Sequence, residues 1–170
     1  MKVADYVAQF LADRGVSHAF GIIGGGNVAL WDAISRLGKT ELVCTHHEQA
    51  ATMAAAYFAR AGGRLGVALV TSGAGSANAI TGVIAAYMDS APVLVFSGNE
   101  NARELKPLRR ILGMQGYDST HVVAGVTKDA WRMWTPKFAT HLEASAEHAM
   151  KPRMGPVWID IPRDVQGASL

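Results

Sequence analysis

Hydrophobic residues recur along the chain in two alternating patterns. One is a three- and four-residue spacing or an alanine-rich stretch without Gly or Pro, both typical of helices. The other is a short, continuous apolar run, typical of strands buried on both faces. The helical patterns cover residues 3–14, 28–37, 48–61, 77–88 and 135–150. The apolar runs cover residues 18–22, 41–45, 65–71, 92–97, 128–133 and 157–161.

Strands that alternate with helices predict right-handed crossover connections. We therefore expect an α/β fold with an open, mostly parallel six-stranded sheet and helices on both faces. The alternation is interrupted over residues 98–118, where charges, Pro107 and glycines indicate a long loop with one helical turn near residues 108–112. Long loops in compact domains are frequently functional. A chain of 170 residues fits one domain with a sizeable core.

Composition and charge exclude several classes of protein. With 49% hydrophobic and 18% charged residues, the chain is not expected to be disordered. The formal charge is +2, and no run of Lys and Arg indicates a nucleic-acid surface. The single cysteine, Cys44, excludes internal disulfides and a zinc cluster. No apolar run approaches the roughly 20 residues of a membrane helix, and residues 1–14 lack the form of a signal peptide, so we expect a soluble cytoplasmic protein.

Three segments follow predicted strands, at the end of a parallel sheet where ligands bind. They are GIIGGGN at residues 21–27, THHEQAA at residues 45–51 and TSGAGSAN at residues 71–78. Glycine permits positive φ and lets a ligand approach the backbone closely. Asn27 is also predicted to be the N-cap of the helix that follows it.

Each of these segments allows a structural and a functional interpretation. Gly73-x-Gly75 before a helix is either a tight turn or a partial dinucleotide fingerprint in which Asn78 replaces the third glycine. Glu48 is either a first-turn acid that complements the helix dipole, for about 0.3–1 kcal/mol, or a carboxyl in a dry setting that shares a proton with a ligand nitrogen. His46 and His47 are either plain loop residues or acid–base groups.

The order and spacing of four motifs resemble a known family. GIIGGGN, HHEQAA with TSGAGSAN, DSAPVLVFSGN and GPVWIDIPRDVQ follow one another as in the N-terminal pyrimidine-binding (PYR) domain of thiamine-diphosphate-dependent enzymes. The acetolactate synthase branch is the most similar, and the resemblance covers roughly residues 4–166. It implies that residues 1–170 form a single PYR domain, with the central and diphosphate-binding domains of the family absent.

The resemblance implies roles for individual residues. Glu48 is implied as the catalytic acid, which hydrogen-bonds the aminopyrimidine ring of the cofactor and favours its imino tautomer. A charge-assisted hydrogen bond of this kind contributes about 1.5–3 kcal/mol. The implied substrate-side candidates are His47 and Gln115, and no metal ligand is implied in this chain. The implied cofactor-binding residues are Gly24, Gly25, Glu48, Thr71, Ser72, Gly73 and Asn78.

The resemblance also implies a partner. The diphosphate of the cofactor is held in the family through Mg²⁺ by a Gly-Asp-Gly … Asn motif, and this sequence contains no Gly-Asp-Gly. We therefore expect one subunit of a split enzyme, whose partner supplies the diphosphate-binding domain and the Mg²⁺. The expected assembly is a homodimer at least, and an α2β2 heterotetramer with the partner.

The implied reaction starts from a 2-oxo acid, with pyruvate as the expected substrate. Decarboxylation is followed by protonation or by acyl transfer to an acceptor carbonyl, as in acetolactate synthase. One alternative is a non-catalytic interaction or regulatory subunit that retains the PYR fold. Another is a nucleotide-binding module that uses Gly73 and Gly75.

Overall fold

Six parallel strands form one sheet in a computed structural model that describes residues 1–105, 112–134 and 138–170. The strands are β1 (His18–Gly21), β2 (Glu41–Cys44), β3 (Gly66–Val70), β4 (Val93–Asn99), β5 (Asp129–Arg132) and β6 (Val157–Pro162). Their order across the sheet is β2-β1-β3-β4-β6-β5, and every pairing is parallel. The predicted α/β class and the predicted parallel sheet are confirmed.

Helices connect the strands and cover both faces of the sheet. They are α1 (Val3–Asp13), α2 (Val28–Leu37), α3 (Glu48–Gly62), α4 (Ala74–Met88), α5 (Ser119–Val123), α6 (Ala139–Met150) and α7 (Arg163–Gln166), with 3₁₀ helices at Gly113–Gln115 and Ala124–Val126. Within the described residues, none of these helices has the length and apolar character needed to cross a membrane.

The core lies on both sides of the sheet because the central strands are buried along their whole length. In β3, Val67 and Leu69 belong to a cluster with α1, α2 and α6, whereas Ala68 and Val70 belong to a cluster with α3 and α4. This alternation is the two-residue period of a strand, and burial on both faces explains why the apolar runs of the sequence show no regular alternation with polar residues.

Small residues bring α3 and α4 close to each other and to the sheet. The buried face of α3 is largely alanine, and α4 presents Gly82 to Thr52, where a Cβ would collide with the threonine hydroxyl. Thr52 Oγ1 donates a hydrogen bond to Ala79 O across the two helices at 3.1 Å. Close packing of these helices fixes the start of α3 relative to the start of α4.

The structure differs from the predicted elements in several places. α4 begins at Ala74 rather than at residue 77, because Gly73 turns the chain with φ +63° and ψ −123° directly into the helix. α5 and α7 were not predicted, and each has fewer residues than a hydrophobic pattern can identify. The predicted helical turn at residues 108–112 lies, apart from Leu112, outside the described residues. So do the first three residues of the helix predicted at residues 135–150.

Candidate functional site

The three polar segments that follow β1, β2 and β3 come together at the carboxyl edge of the sheet. β1 pairs with β2 on one side and with β3 on the other, so the chain runs outward from β1 through α2 and returns through α3. A reversal of this kind opens a crevice at the ends of the central strands. The turn after β1, the start of α3 and the turn before α4 border it.

Glu48 begins α3 and is only 8% exposed, so its carboxyl is largely shielded from solvent. Asn78 Nδ2 donates a hydrogen bond of 3.1 Å to Glu48 Oε2. On the other side, a Cβ added to Gly75 would lie 2.9 Å from Glu48 Oε1. The carboxyl therefore fits where it does because residue 75 is a glycine. The structure brings Glu48 and Asn78, which the sequence selected separately, into direct contact.

His47 stands at the N-cap position of α3 and is exposed. Its Nδ1 accepts a hydrogen bond of 3.3 Å from the backbone N–H of Gln49, which is the contact that a capping side chain makes. Its carbonyl accepts one of 3.0 Å from Thr45 Oγ1. His47 therefore supports the start of α3 immediately before Glu48. Its role on the substrate side stays a prediction.

Asn27 organises the glycine turn after β1. Its side chain is fully buried, accepts a hydrogen bond of 2.8 Å from Gly24 N and donates one of 3.0 Å to Ile22 O. It makes no side-chain hydrogen bond to the amides of α2. The prediction that Asn27 is the N-cap residue of this helix is confirmed. Both ends of its amide are used by the glycine turn rather than by the helix.

The glycine turn packs directly against the turn that follows β3. A Cβ on Gly24 would lie 2.5 Å from Thr71 Oγ1, and one on Gly26 would lie 2.9 Å from Ser72 N. Thr71 Oγ1 accepts a hydrogen bond of 3.2 Å from Gly26 N. Gly25 lies between these two close approaches, is exposed and has open space on its Cβ side. The structure thus brings together all the candidates from these two turns.

Gln115 reaches the same crevice from the long loop between β4 and β5. Ser72 Oγ donates a hydrogen bond of 3.3 Å to Gln115 Oε1. A Cβ on Gly73 would lie 2.6 Å from both Gln115 Oε1 and Met114 O, so the loop packs directly against the backbone of Gly73. The sequence selected Gln115 through the family pattern alone, and the structure positions it beside Ser72 and Gly73.

The same packing disfavours a nucleotide site at Gly73-x-Gly75. Phosphate-binding glycines leave their backbone N–H groups open to the ligand. Here protein atoms from Met114 and Gln115 cover Gly73, and the carboxyl of Glu48 lies beside Gly75. A carboxylate at that place repels a phosphate.

The sequence analysis missed a buried ionic group that anchors the loop carrying Gln115. Asp160 in β6 is fully buried, and its Oδ2 accepts hydrogen bonds from Arg132 Nε at 2.6 Å and from Asn99 Nδ2 at 2.8 Å. Arg132 Nη2 also donates to Asp118 Oδ1 at 3.3 Å. Asp118 in turn accepts a hydrogen bond from the backbone N–H of His121 and caps α5. An aspartate inside the apolar run VWIDIP was the available signal.

The electrostatics of this group follow from its burial. Burial raises the pKa of the Asp160 carboxyl, and the charge and hydrogen bond of Arg132 oppose that effect without cancelling it. Burial also acts to raise the pKa of Asp118, but the hydrogen bond from Thr120 and the charge of Arg132 outweigh it and hold that pKa below its usual value. Burial raises the pKa of Tyr117 as well, although the hydrogen bond with Ser76 opposes the rise.

Tyr117 provides a second link between the loop and the site. Its hydroxyl lies 2.8 Å from Ser76 Oγ, and Ser76 Oγ donates a hydrogen bond of 2.9 Å to Gly73 O. The loop is therefore tied to the first turn of α4 as well as to β5 and β6. Among the described residues, no cluster of three or more His, Cys, Asp or Glu side chains is arranged to hold a metal ion.

Comparison with known proteins agrees with this geometry. The family described as thiamine pyrophosphate enzyme, N-terminal TPP binding domain, matches residues 1–126, and the chain belongs to that family. A glycine-lined crevice with a shielded glutamate at the carboxyl edge of a parallel sheet is therefore found in a domain of thiamine-diphosphate-dependent enzymes.

Among individual relatives, the chain is similar to large subunits of acetolactate synthase. It is 36% identical over 166 residues to the large subunit of acetolactate synthase isozyme 3 of Escherichia coli, which covers 95% of this chain. It is 35% identical to the acetolactate synthase large subunit of Haemophilus influenzae and 34% identical to the probable acetolactate synthase large subunit of Methanocaldococcus jannaschii. The chain spans only 28% of the length of each of these three relatives.

Proposed function

We propose that this chain is the pyrimidine-binding subunit of a split thiamine-diphosphate-dependent enzyme that acts on a 2-oxo acid, with pyruvate as the substrate. The observation that carries the proposal is the shielded carboxyl of Glu48, held between Asn78 and Gly75 at the crevice. The outcome of the reaction is decarboxylation or acetolactate-synthase-like acyl transfer. The names of the relatives favour acyl transfer.

The residues of the crevice fit an aminopyrimidine ring. Such a ring needs a carboxyl to share a proton with a ring nitrogen and backbone groups for its other polar atoms. Glu48 supplies the carboxyl, and Gly25 supplies the backbone, because its Cβ side is open and its N–H donates to no group among the described contacts. When bound, the cofactor provides the electron sink for cleaving the bond between the carboxylate and carbonyl carbons of the substrate.

In this chain, Glu48 provides the proton that is shared with the ligand. Contacts with neighbouring residues fix its carboxyl in place. Asn78 fixes one carboxyl oxygen by a hydrogen bond, which leaves the other to meet the ligand beside Gly75. Shielding from water strengthens the hydrogen bond between the carboxyl and a ring nitrogen. His47, directly before Glu48, and Gln115, beside Ser72 and Gly73, are proposed to contact the substrate.

The diphosphate and its Mg²⁺ are proposed to be held by a partner subunit. Supporting this, the printed sequence contains no Gly-Asp-Gly. The described part of the chain also has no carboxylate cluster suited to a cation. The relatives extend well beyond the segment that this chain matches.

The outward faces of α3 and α4 are proposed as the surface that meets the partner. Both helices begin at the crevice, so a domain resting on them can reach the same ligand. They expose the apolar side chains of Tyr57, Ile84 and Met88. Clustered apolar exposure of this kind marks interaction sites. We propose a homodimer of this chain, and an α2β2 heterotetramer when the partner is present.

A calorimetric titration tests the proposal. The chain is titrated with thiamine diphosphate and Mg²⁺, alone and then with a partner that carries a Gly-Asp-Gly … Asn domain, sought first in the neighbouring reading frame. Alone, an aminopyrimidine ring held by Glu48 and backbone groups contributes about 4 kcal/mol, which is millimolar affinity. With the partner, tight binding and consumption of a 2-oxo acid should appear together.

Three results would contradict the proposal in different ways. Micromolar cofactor binding and turnover by the chain alone would refute the need for a partner. Assembly with the partner without any turnover would favour a regulatory subunit. Binding of NAD in place of thiamine diphosphate would favour the nucleotide-binding alternative.

A further inference from the structure

Gln166, the last residue of α7, is a buried polar side chain with no part in the proposed chemistry. It is 1% exposed. Its Nε2 donates two short hydrogen bonds, one of 2.6 Å to Gly26 O and one of 2.7 Å to Ile161 O. The first joins the end of the chain to the glycine turn that follows β1.

Both sides of Gly26 are held by this arrangement. The N–H of Gly26 donates to Thr71 Oγ1 at 3.2 Å, and its carbonyl accepts from Gln166. The Gly26 carbonyl also packs directly on Gly98 of β4, where any Cβ would collide with it. Asn27 holds the other end of the turn through Gly24 N. Among the described contacts, Gly25 alone of Gly24, Gly25 and Gly26 has no hydrogen bond from its N–H to another group of the chain.

In the described part of the chain, only the nitrogen end of the Gln166 amide is satisfied by the protein. The Oε1 of Gln166 is buried and has no hydrogen-bond partner among the described residues. Burying an unsatisfied acceptor is unfavourable, so an apolar side chain would be the better filler if nothing required a donor. The two carbonyl oxygens of Gly26 and Ile161 do require donors, and the two hydrogens of one amide nitrogen satisfy both.

We propose that Gln166 is a positioning residue that fixes the glycine turn, so that the Gly25 peptide group is the part of the turn offered to a ligand. The identity of that ligand rests on the proposed function. The fixing of the turn does not, because it depends only on contacts within the chain. A terminal helix of four residues thus shapes a site that lies 140 residues earlier in the sequence.

Amide hydrogen exchange followed by NMR tests the proposal in the unliganded chain. In the unchanged protein, the Nε2 protons of Gln166 should be protected from exchange to the same degree as the Gly26 amide. In Gln166→Met, which keeps the length and apolar volume of the side chain, the protection of the Gly26 and Asn27 amides should fall by about tenfold or more. The amides of Val67 and Leu69 in β3 should change by less than about twofold.

Gln9→Met is the matched control, because Gln9 is an exposed glutamine of α1 whose side chain, among the described residues, bonds only Asp13 one turn later. It should leave the turn unchanged. Unaltered protection of Gly26 in Gln166→Met would overturn the proposal. So would an equal loss of protection at Gly26 and throughout β3, since that result is the signature of a purely structural role.

Gln166→Glu adds a pH signature that tests whether residue 166 holds the turn as a hydrogen-bond donor. An ionised carboxyl has no hydrogen to donate to Gly26 O or Ile161 O, whereas a protonated carboxyl has one. Protection of the turn, corrected for the intrinsic exchange rate, should therefore be lost near pH 7 and partly return on acidification. No return at acid pH, with the fold intact, would count against the proposal. These measurements need neither cofactor nor partner, so their outcome is independent of the proposed enzyme activity.

Discussion

Contacts with Asn78 and Gly75 determine where the carboxyl of Glu48 lies at the crevice. Asn78 donates to Glu48 Oε2, and the missing side chain of Gly75 leaves the carboxyl room beside α4. A carboxyl at the first residue of a helix also interacts favourably with the helix dipole. That stabilisation and the proposed sharing of a proton with a ligand are compatible, so the two interpretations of Glu48 drawn from the sequence do not exclude each other.

Glu48→Gln preserves the size of the side chain and removes the proton that it shares. We expect the complex with the partner to assemble normally and its turnover to fall by about a hundredfold or more, the lower range for losing an acid–base group. Steady-state kinetics on the reconstituted complex measure the effect. Glu147→Gln, at an exposed position of α6, is the matched control and should keep normal turnover. An equal loss of turnover in this control would attribute the effect to the change of charge itself. Near-normal turnover in Glu48→Gln would remove Glu48 from the mechanism.

Gly75→Ala tests the space beside the carboxyl. The new Cβ would lie 2.5 Å from Thr71 Cγ2 and 2.9 Å from Glu48 Oε1, so one of the three residues must move. We expect turnover to fall by roughly tenfold to a hundredfold, because small displacements of a catalytic group have effects of that size. Gly125→Ala is the control, since its Cβ would meet nothing within 4 Å. Turnover in Gly75→Ala equal to that of the control would show that the carboxyl tolerates displacement.

At the scale of single residues, the sequence predicted which residues gather at the crevice. It did not predict the hydrogen bonds that each of them makes. Glycines and a glutamate at strand ends were visible as a pattern, and the structure brings them together. The use of Asn27 by the turn, and of His47 as a helix cap, depends on hydrogen bonds that no pattern of residue types specifies.

Among the elements, the loop between β4 and β5 depends on a group of buried charges. Arg132 in β5 is the counterion of both Asp160 in β6 and Asp118 at the start of α5, and its side chain is only 4% exposed. Opposite charges this deeply buried stabilise each other, and removing one partner leaves an uncompensated charge. The loop that carries Gln115 therefore depends on a residue outside the crevice.

Arg132→Met should lower the free energy of unfolding by about 3–5 kcal/mol near neutral pH, the cost of breaking a buried pair. The loss should be smaller near pH 4. Burial already holds the folded-state pKa of Asp160 above its unfolded value of about 3.9, and removing Arg132, which opposes this effect, raises that pKa further. A group with a raised folded pKa keeps its stability below the unfolded pKa and loses it as the pH rises through the folded pKa. The deficit therefore grows from acid to neutral pH.

Urea unfolding of Arg132→Met at the two pH values measures this deficit against the unchanged protein. Arg103→Met, at an exposed arginine, is the control and should differ from the unchanged protein by less than about 0.5 kcal/mol. An equal deficit at acid and neutral pH would show that Arg132 contributes through packing rather than through its charge.

Long periodic segments of the sequence predicted the strands and the larger helices, because burial on one or both faces imposes the pattern. The elements that the sequence missed are short and are specified by single contacts. α5 starts at the side chain of Asp118, and the early start of α4 depends on the positive φ of Gly73. The position of Gln115 depends on both of these, so only the resemblance to a family could select it.

For the whole molecule, the helices on the two faces of the sheet differ in the size of the side chains with which they pack. The cluster with α1, α2 and α6 is built from large side chains, whereas α3 and α4 pack through alanine and glycine and expose apolar residues outward. Two helices that begin at the crevice and expose apolar side chains offer a second subunit a binding surface next to the site. In the proposed assembly, a partner bound to these helices would also lie next to Glu48, which begins α3.

Ile84→Glu tests this connection. Ile84 is 43% exposed on α4, so the change should alter the free energy of unfolding of the isolated chain by less than about 0.5 kcal/mol. Burying the new carboxylate against a partner is unfavourable, and we expect the affinity for the diphosphate-domain subunit to fall by about tenfold or more. Met150→Glu, an equivalent change on α6 at the opposite face, should leave association intact. Light scattering and titration of the partner measure both variants, and unchanged assembly in Ile84→Glu would exclude this face as the interface.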